Sequence, residues 1–177
     1  MNSHQIRFDA DLIRRYDRAG PRYTSYPTAV QFTDKFGLNE YRAAAMASNQ
    51  DPIPRPLSLY VHIPFCSSPC FYCGCTKVIT RNHEKAEAYL YRLHREIELQ
   101  SQLYDRDREV EQLHFGGGTP TFLTSLEIDR LIEKLGSHFK LSRDPGREYS
   151  IELDPRTITS DTLRDLAHVG FNRCSLG

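Results

Sequence analysis

The sequence has no excess of charge of either sign, no long apolar run and no internal repeat. Acidic and basic residues number 23 each among 177 residues, so the formal net charge is zero. This balance argues against binding to nucleic acid or a membrane surface through bulk charge. No apolar run approaches the roughly 20 residues of a membrane helix, and residues 1–18 are too polar for a secretory signal. We therefore expect neither a membrane span nor export.

Cysteine is scarce, and four of the five cysteines fall between Cys66 and Cys75. A secreted disulfide scaffold would spread its cysteines along a short chain. Clustering without an export signal instead predicts metal or redox chemistry in a reducing cytoplasm, so we expect a cytoplasmic location. The fifth, Cys174, is expected to be a small buried apolar residue in a strand.

Residues 1–56 are predicted to form an N-terminal arm with two short helices. The helices are expected around Asp9–Asp17 and Asn39–Ser48, with Asn39 as the N-cap of the second. Between them, a glycine and two prolines keep residues 20–28 extended or turned. The proline-rich residues 51–56 form a stiff linker, which places the predicted domain boundary at residue 56.

Strands and helices alternate through residues 57–177, the second predicted domain. The strands are predicted at Leu57–Ile63, Val110–Phe115, Glu148–Leu153 and Phe171–Leu176, and the helices at Asn82–Leu103, Thr124–Phe139 and Ser160–His168. A capping box begins the second of these helices, and Gly170 ends the third. This order predicts an α/β fold with a parallel sheet and right-handed crossovers.

The predicted strands have one apolar face and one polar face. In the first strand, for example, Leu59 and Val61 alternate with Tyr60 and His62. Parallel strands are normally apolar on both faces, so a polar inner face suits a barrel whose interior holds a ligand. The alternative is an open sheet with one solvent-exposed face. His62 and His114 lie on the polar face, where we expect them to satisfy buried hydrogen bonds rather than bind a ligand.

The cysteine spacing directly after the first strand is C-x3-C-x2-C, at Cys66, Cys70 and Cys73. A 4Fe–4S cluster takes four thiolates, so three would leave one iron open, as catalytic metals are. A structural zinc site would need a fourth ligand, and Cys75 lies only two residues from Cys73. A non-catalytic metal site remains the alternative.

Several strings resemble one known family. Leu59-Tyr-Val-His-Ile-Pro-Phe-Cys66, Leu113-His-Phe-Gly-Gly-Gly-Thr-Pro-Thr121 and Ile151-Glu-Leu-Asp-Pro155 are similar to the oxygen-independent coproporphyrinogen III oxidase (dehydrogenase) family of the radical S-adenosylmethionine (SAM) superfamily. The string Gly20-Pro-Arg-Tyr-Thr-Ser-Tyr-Pro-Thr28 and Cys75 match the oxidase branch. The related haem chaperones, the alternative function, typically lack this arm and carry Phe in place of Cys75.

The resemblance implies a set of site residues. It makes Cys66, Cys70 and Cys73 the ligands of a 4Fe–4S cluster and Cys75 a candidate catalytic residue that does not bind the cluster. It also implies SAM contacts at Tyr60, Tyr72, Gly117, Gly118, Thr119 and Glu152. Plainer interpretations stay open: the glycines form a tight turn, the aromatic side chains only pack, and Glu152 pairs with a basic residue.

The resemblance also implies a reaction. SAM chelates the open iron and is cleaved by one electron, and the resulting 5′-deoxyadenosyl radical takes a hydrogen from a propionate of coproporphyrinogen III. Loss of carbon dioxide and an electron leaves a vinyl group, and two rounds give protoporphyrinogen IX in haem biosynthesis. The expected partners are this substrate and an unidentified electron donor, with no nucleic acid, and we expect a monomer.

The implied architecture is a partial (β/α) radical SAM barrel after a helical arm. About four strands are present, against roughly 250 residues for a complete eight-stranded barrel. We therefore expect an N-terminal fragment that is incomplete for turnover. Arg22, Tyr23 and Tyr26 of the arm are expected to help hold the substrate carboxylates. Substitution of Arg22 should then weaken substrate binding without loss of the cluster.

Overall fold

The structure is a computed structural model that describes residues 8–17, 28–70 and 73–177. The chain divides into two compact units, residues 1–38 and 39–177. In the first, helix α1 (Ala10–Tyr16) begins after Asp9, whose carboxylate accepts hydrogen bonds from the backbone N–H groups of Asp11 and Leu12. This confirms the first predicted helix, and a 3-10 turn follows at Ala29–Gln31.

Helix α2 spans Leu38–Ala47, so the second predicted helix is confirmed but its predicted N-cap is wrong. An N-cap residue has a non-helical backbone, whereas Asn39 already lies inside the first turn because the helix begins at Leu38. Helix boundaries commonly differ by a residue or two between sequence and structure.

Helix α2 and the segment after it are hydrogen-bonded to other parts of the second unit. The Tyr41 hydroxyl donates to Gln100 Oε1 at 2.5 Å, and Asn49 Nδ2 donates to the Leu103 carbonyl at 3.0 Å. The Arg108 guanidinium donates to the Arg55 carbonyl at 2.7 Å. The compact unit therefore begins before the boundary predicted at residue 56, because residues 41–55 dock on the helix and loop that precede the second long strand.

All four predicted strands and all three later helices are present. The strands are β1 (Leu57–Ile63), β2 (Phe65–Cys66), β3 (Val78–Ile79), β4 (Glu109–Gly117), β5 (Lys140–Leu141), β6 (Glu148–Leu153) and β7 (Arg173–Leu176). The helices are α3 (Glu84–Ser101), α4 (Ser125–His138) and α5 (Ser160–His168). The main sheet is parallel in the order β1-β4-β6-β7, with β5 beside the start of β4, and β2 pairs with β3 separately.

The apolar face of the sheet forms the core with helices α3 to α5. Leu113 and Phe115 of β4 are fully buried, and Ile151 of β6 is 1% exposed. Burial of each such side chain contributes about 1.5–3 kcal/mol. Thr124 caps α4 in the predicted capping box, and Gly170 follows α5 with a φ of +113°, a conformation that favours glycine. The opposite face is left to the polar side chains.

Strand β7 overturns the expectation for Cys174. All four of its residues are exposed, Cys174 included, so the prediction of a buried cysteine is wrong. Among the described strands, β7 is the last in the sheet order and packs against β6 on one side only. An apolar residue type therefore does not ensure burial in a strand that has a neighbour on one side only. No helix within the described residues is long and apolar enough to cross a membrane.

Candidate radical SAM site

A pocket of about 400 Å³ opens at the carboxyl ends of the parallel strands. Loops after parallel strands meet at one edge of a sheet, which is where such folds bind ligands. The pocket brings together most of the predicted site residues: Cys66, Cys70, Cys73, Cys75, Gly117, Gly118, Thr119 and Glu152. They arrive from β2 and the segment that follows it, from β4 and from β6, so the fold itself gathers residues that are distant in sequence.

One wall of the pocket is formed by the described residues of the cysteine loop, 67–70 and 73–77, with Cys66 at its base in β2. The β2–β3 pairing closes this loop, since Val78 N–H donates to the Pro64 carbonyl at 2.7 Å and Thr80 N–H donates to the Cys66 carbonyl at 2.9 Å. Cys66 is buried, whereas Cys70 is exposed and Cys73 is partly exposed. The first thiol is thus fixed by the strand pair, and the other two project from the loop.

Each of the three thiols faces a hydrogen-bond donor. Cys66 Sγ accepts from Thr119 Oγ1 at 3.6 Å, and Cys70 Sγ accepts from Arg156 Nη2 at 3.5 Å. Cys73 Sγ accepts from the Cys75 N–H at 3.4 Å. Donors aimed at sulfur favour the thiolate, the form that binds a metal.

Cys73 and Cys75 lie side by side but differ in acidity. The Cys75 N–H hydrogen bond, assisted by Lys77, lowers the pKa of the Cys73 thiol below its ordinary value. Burial, followed by the hydrogen bond and charge of Cys73, raises the pKa of the Cys75 thiol. This contrast fits Cys73 as a metal ligand and Cys75 as a neutral thiol beside it.

The other wall is the glycine segment, residues 116–119. Gly117 has a φ of +115°, and its N–H donates to Glu152 Oε2 at 2.9 Å. A Cβ on Gly117 would lie 2.6 Å from the His62 ring, and one on Gly118 would lie 2.7 Å from the Phe65 carbonyl oxygen. The glycines are therefore required for packing as well as for lining the pocket, and their contact with SAM stays a prediction.

Glu152 connects the glycine segment to the polar face of the sheet. Its Oε1 lies 3.4 Å from His114 Nε2, and His114 Nδ1 lies 2.7 Å from Ser150 Oγ. The partners of Glu152 are thus a backbone N–H and a histidine. Oε1 is the more weakly held oxygen and the side chain is 43% exposed, so it can accept a further hydrogen bond.

Tyr60 and His62 extend this polar face but do not line the pocket itself. The Tyr60 ring stacks on His114 with centroids 5.7 Å apart, and its hydroxyl lies 3.0 Å from His62 Nδ1. His62 Nε2 lies 3.0 Å from the Thr76 carbonyl oxygen of the cysteine loop. Burial, and then the charge of Glu152, raises the pKa of Tyr60. Both histidines make hydrogen bonds within the chain, but those of His62 are exposed rather than buried, and the expectation that neither binds a ligand stays a prediction.

Asp154, which lines the pocket, and its neighbour Arg156 were not predicted as site residues. Asp154 and Arg156 follow β6 directly and form an ion pair with Nη2 and Oδ2 2.7 Å apart, and Arg156 reaches Cys70. Their position after a strand of a parallel sheet was the signal that could have found them. Tyr72, Arg22, Tyr23 and Tyr26 lie outside the described residues, so their predicted roles stay predictions.

Comparison with known proteins places this arrangement in a family. Residues 60–177 match the family model of the Radical SAM superfamily. An oxygen-independent coproporphyrinogen III oxidase of Mannheimia haemolytica is 46% identical over 151 residues, which are 85% of this chain and 99% of the relative. The chain belongs to the oxygen-independent coproporphyrinogen III oxidase family of the radical SAM superfamily. Proteins of this superfamily generally use a 4Fe–4S cluster and SAM.

Longer members of the family extend the comparison. The Pseudomonas aeruginosa oxidase is 52% identical over 172 residues, 97% of this chain and 37% of the relative. The solved structure of coproporphyrinogen III oxidase from Escherichia coli, a radical SAM enzyme, matches with a TM-score of 0.78 at 46% identity, covering 98% of this chain and 37% of that one. The expected α/β fold, part of a radical SAM barrel, is confirmed. This chain spans about 37% of the length of these two coproporphyrinogen III oxidases.

The residues present fit the two groups that the radical SAM superfamily uses. A cluster binds each thiolate to a different iron, and three thiols with their own donors surround one pocket. The glycine segment lets a ligand approach the backbone closely, and Glu152 offers a carboxylate oxygen beside it. Among the described residues no three such side chains are already gathered around one metal position, so the thiols would have to close on a cluster. The chemistry of the donors and the shape of the opposite wall suit a cluster and a polar ligand together.

Proposed function

We propose that this chain binds a 4Fe–4S cluster through Cys66, Cys70 and Cys73 and SAM in the same pocket. We propose further that it serves the oxidative decarboxylation of coproporphyrinogen III to protoporphyrinogen IX in porphyrin biosynthesis. The observation that carries the proposal is the convergence of three thiols, the glycine segment and Glu152 on one pocket at the carboxyl ends of the strands.

The roles of the chain's own residues follow from their positions. The three thiolates hold three irons and leave the fourth for SAM, as an open catalytic site requires. Gly117 and Gly118 supply a wall without side chains, and Glu152 would accept a hydrogen bond from a hydroxyl of SAM with Oε1, the oxygen that Gly117 does not bond. When bound, the cluster and SAM supply a one-electron cleavage that leads to hydrogen abstraction from the substrate.

The substrate and partners belong to the proposal as well. The relatives are named for coproporphyrinogen III, whose carboxylates suit the arginine of the arm, Arg22. Tyr60 and Tyr72 complete the proposed SAM site. An external electron donor is required, since no redox centre besides the cluster is proposed. A cytoplasmic, monomeric protein remains our expectation.

Anaerobic reconstitution with iron and sulfide tests the cluster. Cys70→Ala and Cys73→Ala should lose the iron and sulfide that the unaltered chain retains, because each removes one ligand. Cys174→Ala is the matched control, since Cys174 is an exposed cysteine on β7 and does not line this pocket. Equal iron and sulfide in all four proteins, or zinc bound in preference to iron, would contradict the cluster.

Electron paramagnetic resonance of the reduced cluster tests the SAM site. The signal should change when SAM is added, because SAM binds the iron that lacks a protein ligand. A signal that ignores SAM contradicts the open-iron proposal. Product analysis with coproporphyrinogen III then tests the substrate: SAM cleavage that neither depends on this substrate nor yields a vinyl product counts against it.

A further inference from the structure

Arg156 reaches the cysteine loop from the segment after β6. Its Nη2 lies 3.5 Å from Cys70 Sγ, although the two residues are 86 positions apart in the chain. Cys70 is exposed in the cysteine loop, so this contact joins the loop to the end of the sheet. The radical SAM motifs of the sequence do not include Arg156.

Asp154 holds the guanidinium in place. Arg156 Nε donates to Asp154 Oδ1 at 2.9 Å, and Nη2 donates to Oδ2 at 2.7 Å, so the grip is bidentate. The backbone N–H of Arg156 also donates to Oδ1 at 2.9 Å. The Asp154 side chain is only 12% exposed, and the hydrogen bond from Arg156 lowers the pKa of its carboxyl. The guanidinium is therefore oriented by a nearly buried anion while one of its edges faces the sulfur.

We propose that Arg156 is a positioning residue for the Cys70 thiolate and raises the reduction potential of a cluster bound there. This inference rests on the proposed function, because it needs the cluster. Hydrogen bonds to the sulfurs and the local charge set the potentials of iron–sulfur clusters. A guanidinium beside a ligand sulfur stabilises the reduced, more negative cluster over the oxidised one. The side chain is 62% exposed, so solvent weakens the effect.

A plainer role is that the ion pair only fixes the turn after β6. Asp154 already supports that turn, because its carbonyl accepts from the Thr157 N–H at 3.0 Å. A purely structural pair would change the stability of the chain when Arg156 is replaced and would leave the cluster potential alone. The potential is therefore the readout that separates the two roles.

The experiment is a redox titration of the reconstituted chain without SAM, followed by electron paramagnetic resonance. In Arg156→Gln, the ratio of reduced to oxidised cluster at the midpoint of the unaltered chain should fall about threefold to tenfold. A tenfold fall corresponds to about 59 mV for a one-electron couple. Arg156→Lys keeps the positive charge but loses the bidentate guanidinium, so the ratio of reduced to oxidised cluster should fall less than in Arg156→Gln.

Arg164→Gln is the matched control. Arg164 pairs with Asp161 on α5 at 2.7 Å and is exposed like Arg156, but its partner is this carboxylate and not a cysteine of the loop. Its replacement should leave the midpoint unchanged. Raising the ionic strength should narrow the difference between the unaltered chain and Arg156→Gln, because an exposed charge is screened by salt.

The outcomes separate this inference from the proposed function. If the unaltered chain binds no cluster, the proposed function fails. If all variants bind the cluster with one midpoint, the role of Arg156 is overturned and the proposed function stands. An unchanged midpoint with weaker SAM binding also overturns it, since Arg156 would then be a SAM-binding residue. If Arg156→Gln retains no cluster, the midpoint potential is measured in Arg156→Lys instead. A midpoint equal to that of the unaltered chain then overturns the inference.

Discussion

The two walls of the pocket are built in opposite ways. In the glycine segment, the backbone N–H groups of Gly117, Gly118 and Thr119 donate at 2.8 to 2.9 Å to Glu152, Ile63 and Phe65. In the cysteine loop, the hydrogen bonds within the loop are longer: Cys73 N–H to the Cys70 carbonyl is 3.4 Å, and Lys77 Nζ to the Cys73 carbonyl is 3.3 Å. One wall is fixed by the protein, and the other is left for its ligand to complete.

The same contrast holds for the space around the glycines. A Cβ on Gly118 would lie 2.7 Å from a backbone oxygen, whereas a Cβ on Gly74 of the cysteine loop would meet nothing within 4 Å. Preorganised groups suit a site that must orient a reacting ligand. A looser loop suits thiols that must adjust to a cluster. The glycine segment therefore suits the orientation of a ligand, and the cysteine loop suits the binding of a cluster.

The largest expected effect comes from filling the rigid wall. Gly117→Ala adds a strained positive φ and a clash with His62, and should destabilise the metal-free chain by about 2–5 kcal/mol. Gly118→Ala meets the backbone of β2 and should cost about 1–3 kcal/mol. Urea unfolding of the metal-free variants measures both.

Two other glycines serve as controls for these substitutions. Gly170→Ala carries the same kind of positive φ in open space, so it isolates the backbone cost from the clash. Gly74→Ala should stay within about 0.5 kcal/mol of the unaltered chain. If Gly74→Ala destabilises as much as Gly118→Ala, the two walls are not different in rigidity.

Hydrogen exchange should show the next largest effect. Reconstitution with iron and sulfide should slow exchange of amides in the cysteine loop by on the order of tenfold or more, because a ligand stabilises the state it binds. Amides of the glycine segment should change little, since their partners are already in place. Equal slowing in both segments would contradict a preformed glycine wall.

Glu152→Gln tests whether Glu152 of the pocket contributes to SAM binding. The amide oxygen can still accept from the Gly117 N–H, so stability should fall by less than about 1 kcal/mol. SAM binding should weaken by about tenfold, because a hydrogen bond to a charged group is stronger than one to a neutral group. Titration of the cluster signal with SAM measures this. Unchanged SAM affinity would show that Glu152 only bonds to groups of the chain itself and does not contribute to SAM binding.

Cys75→Ser should have the smallest effect on the cluster. Serine keeps the backbone N–H that donates to Cys73 Sγ, and the Cys75 thiol is the less acidic of the pair. Iron and sulfide content should therefore match that of the unaltered chain. Loss of the cluster in this variant, with Cys174→Ser retaining it, would make Cys75 a ligand and contradict the three-cysteine site.

Most of the sheet was predictable because its patterns are local. The alternation in β1 and the capping box at Thr124 depend on neighbouring residues, and both predictions are confirmed. Strand pairs of two residues, such as β2 with β3, are too short to show any period. Exposure of Cys174 depends on which strand lies at the edge, and this is a property of the whole sheet rather than of the segment.

The family motifs predicted the candidate residues of the site, but the contacts between these residues could not be predicted from the sequence. The cysteine spacing and the glycine segment mark where chemistry is expected. The bonds that organise them, from Gly117 to Glu152 and from Arg156 to Cys70, join residues far apart in sequence. Only the parallel order of the strands brings these partners together, and no local pattern encodes it.

The short β2–β3 pair has a consequence for the assembly of a cluster. It ties Phe65 to Val78 and Cys66 to Ile79, so the entropy of closing the cysteine loop is lost when the chain folds rather than when iron arrives. If Cys66 binds an iron as proposed, tethers of four and seven residues would present Cys70 and Cys73 at an effective concentration on the order of millimolar or more. Folding would then make the binding of iron by the second and third thiols intramolecular.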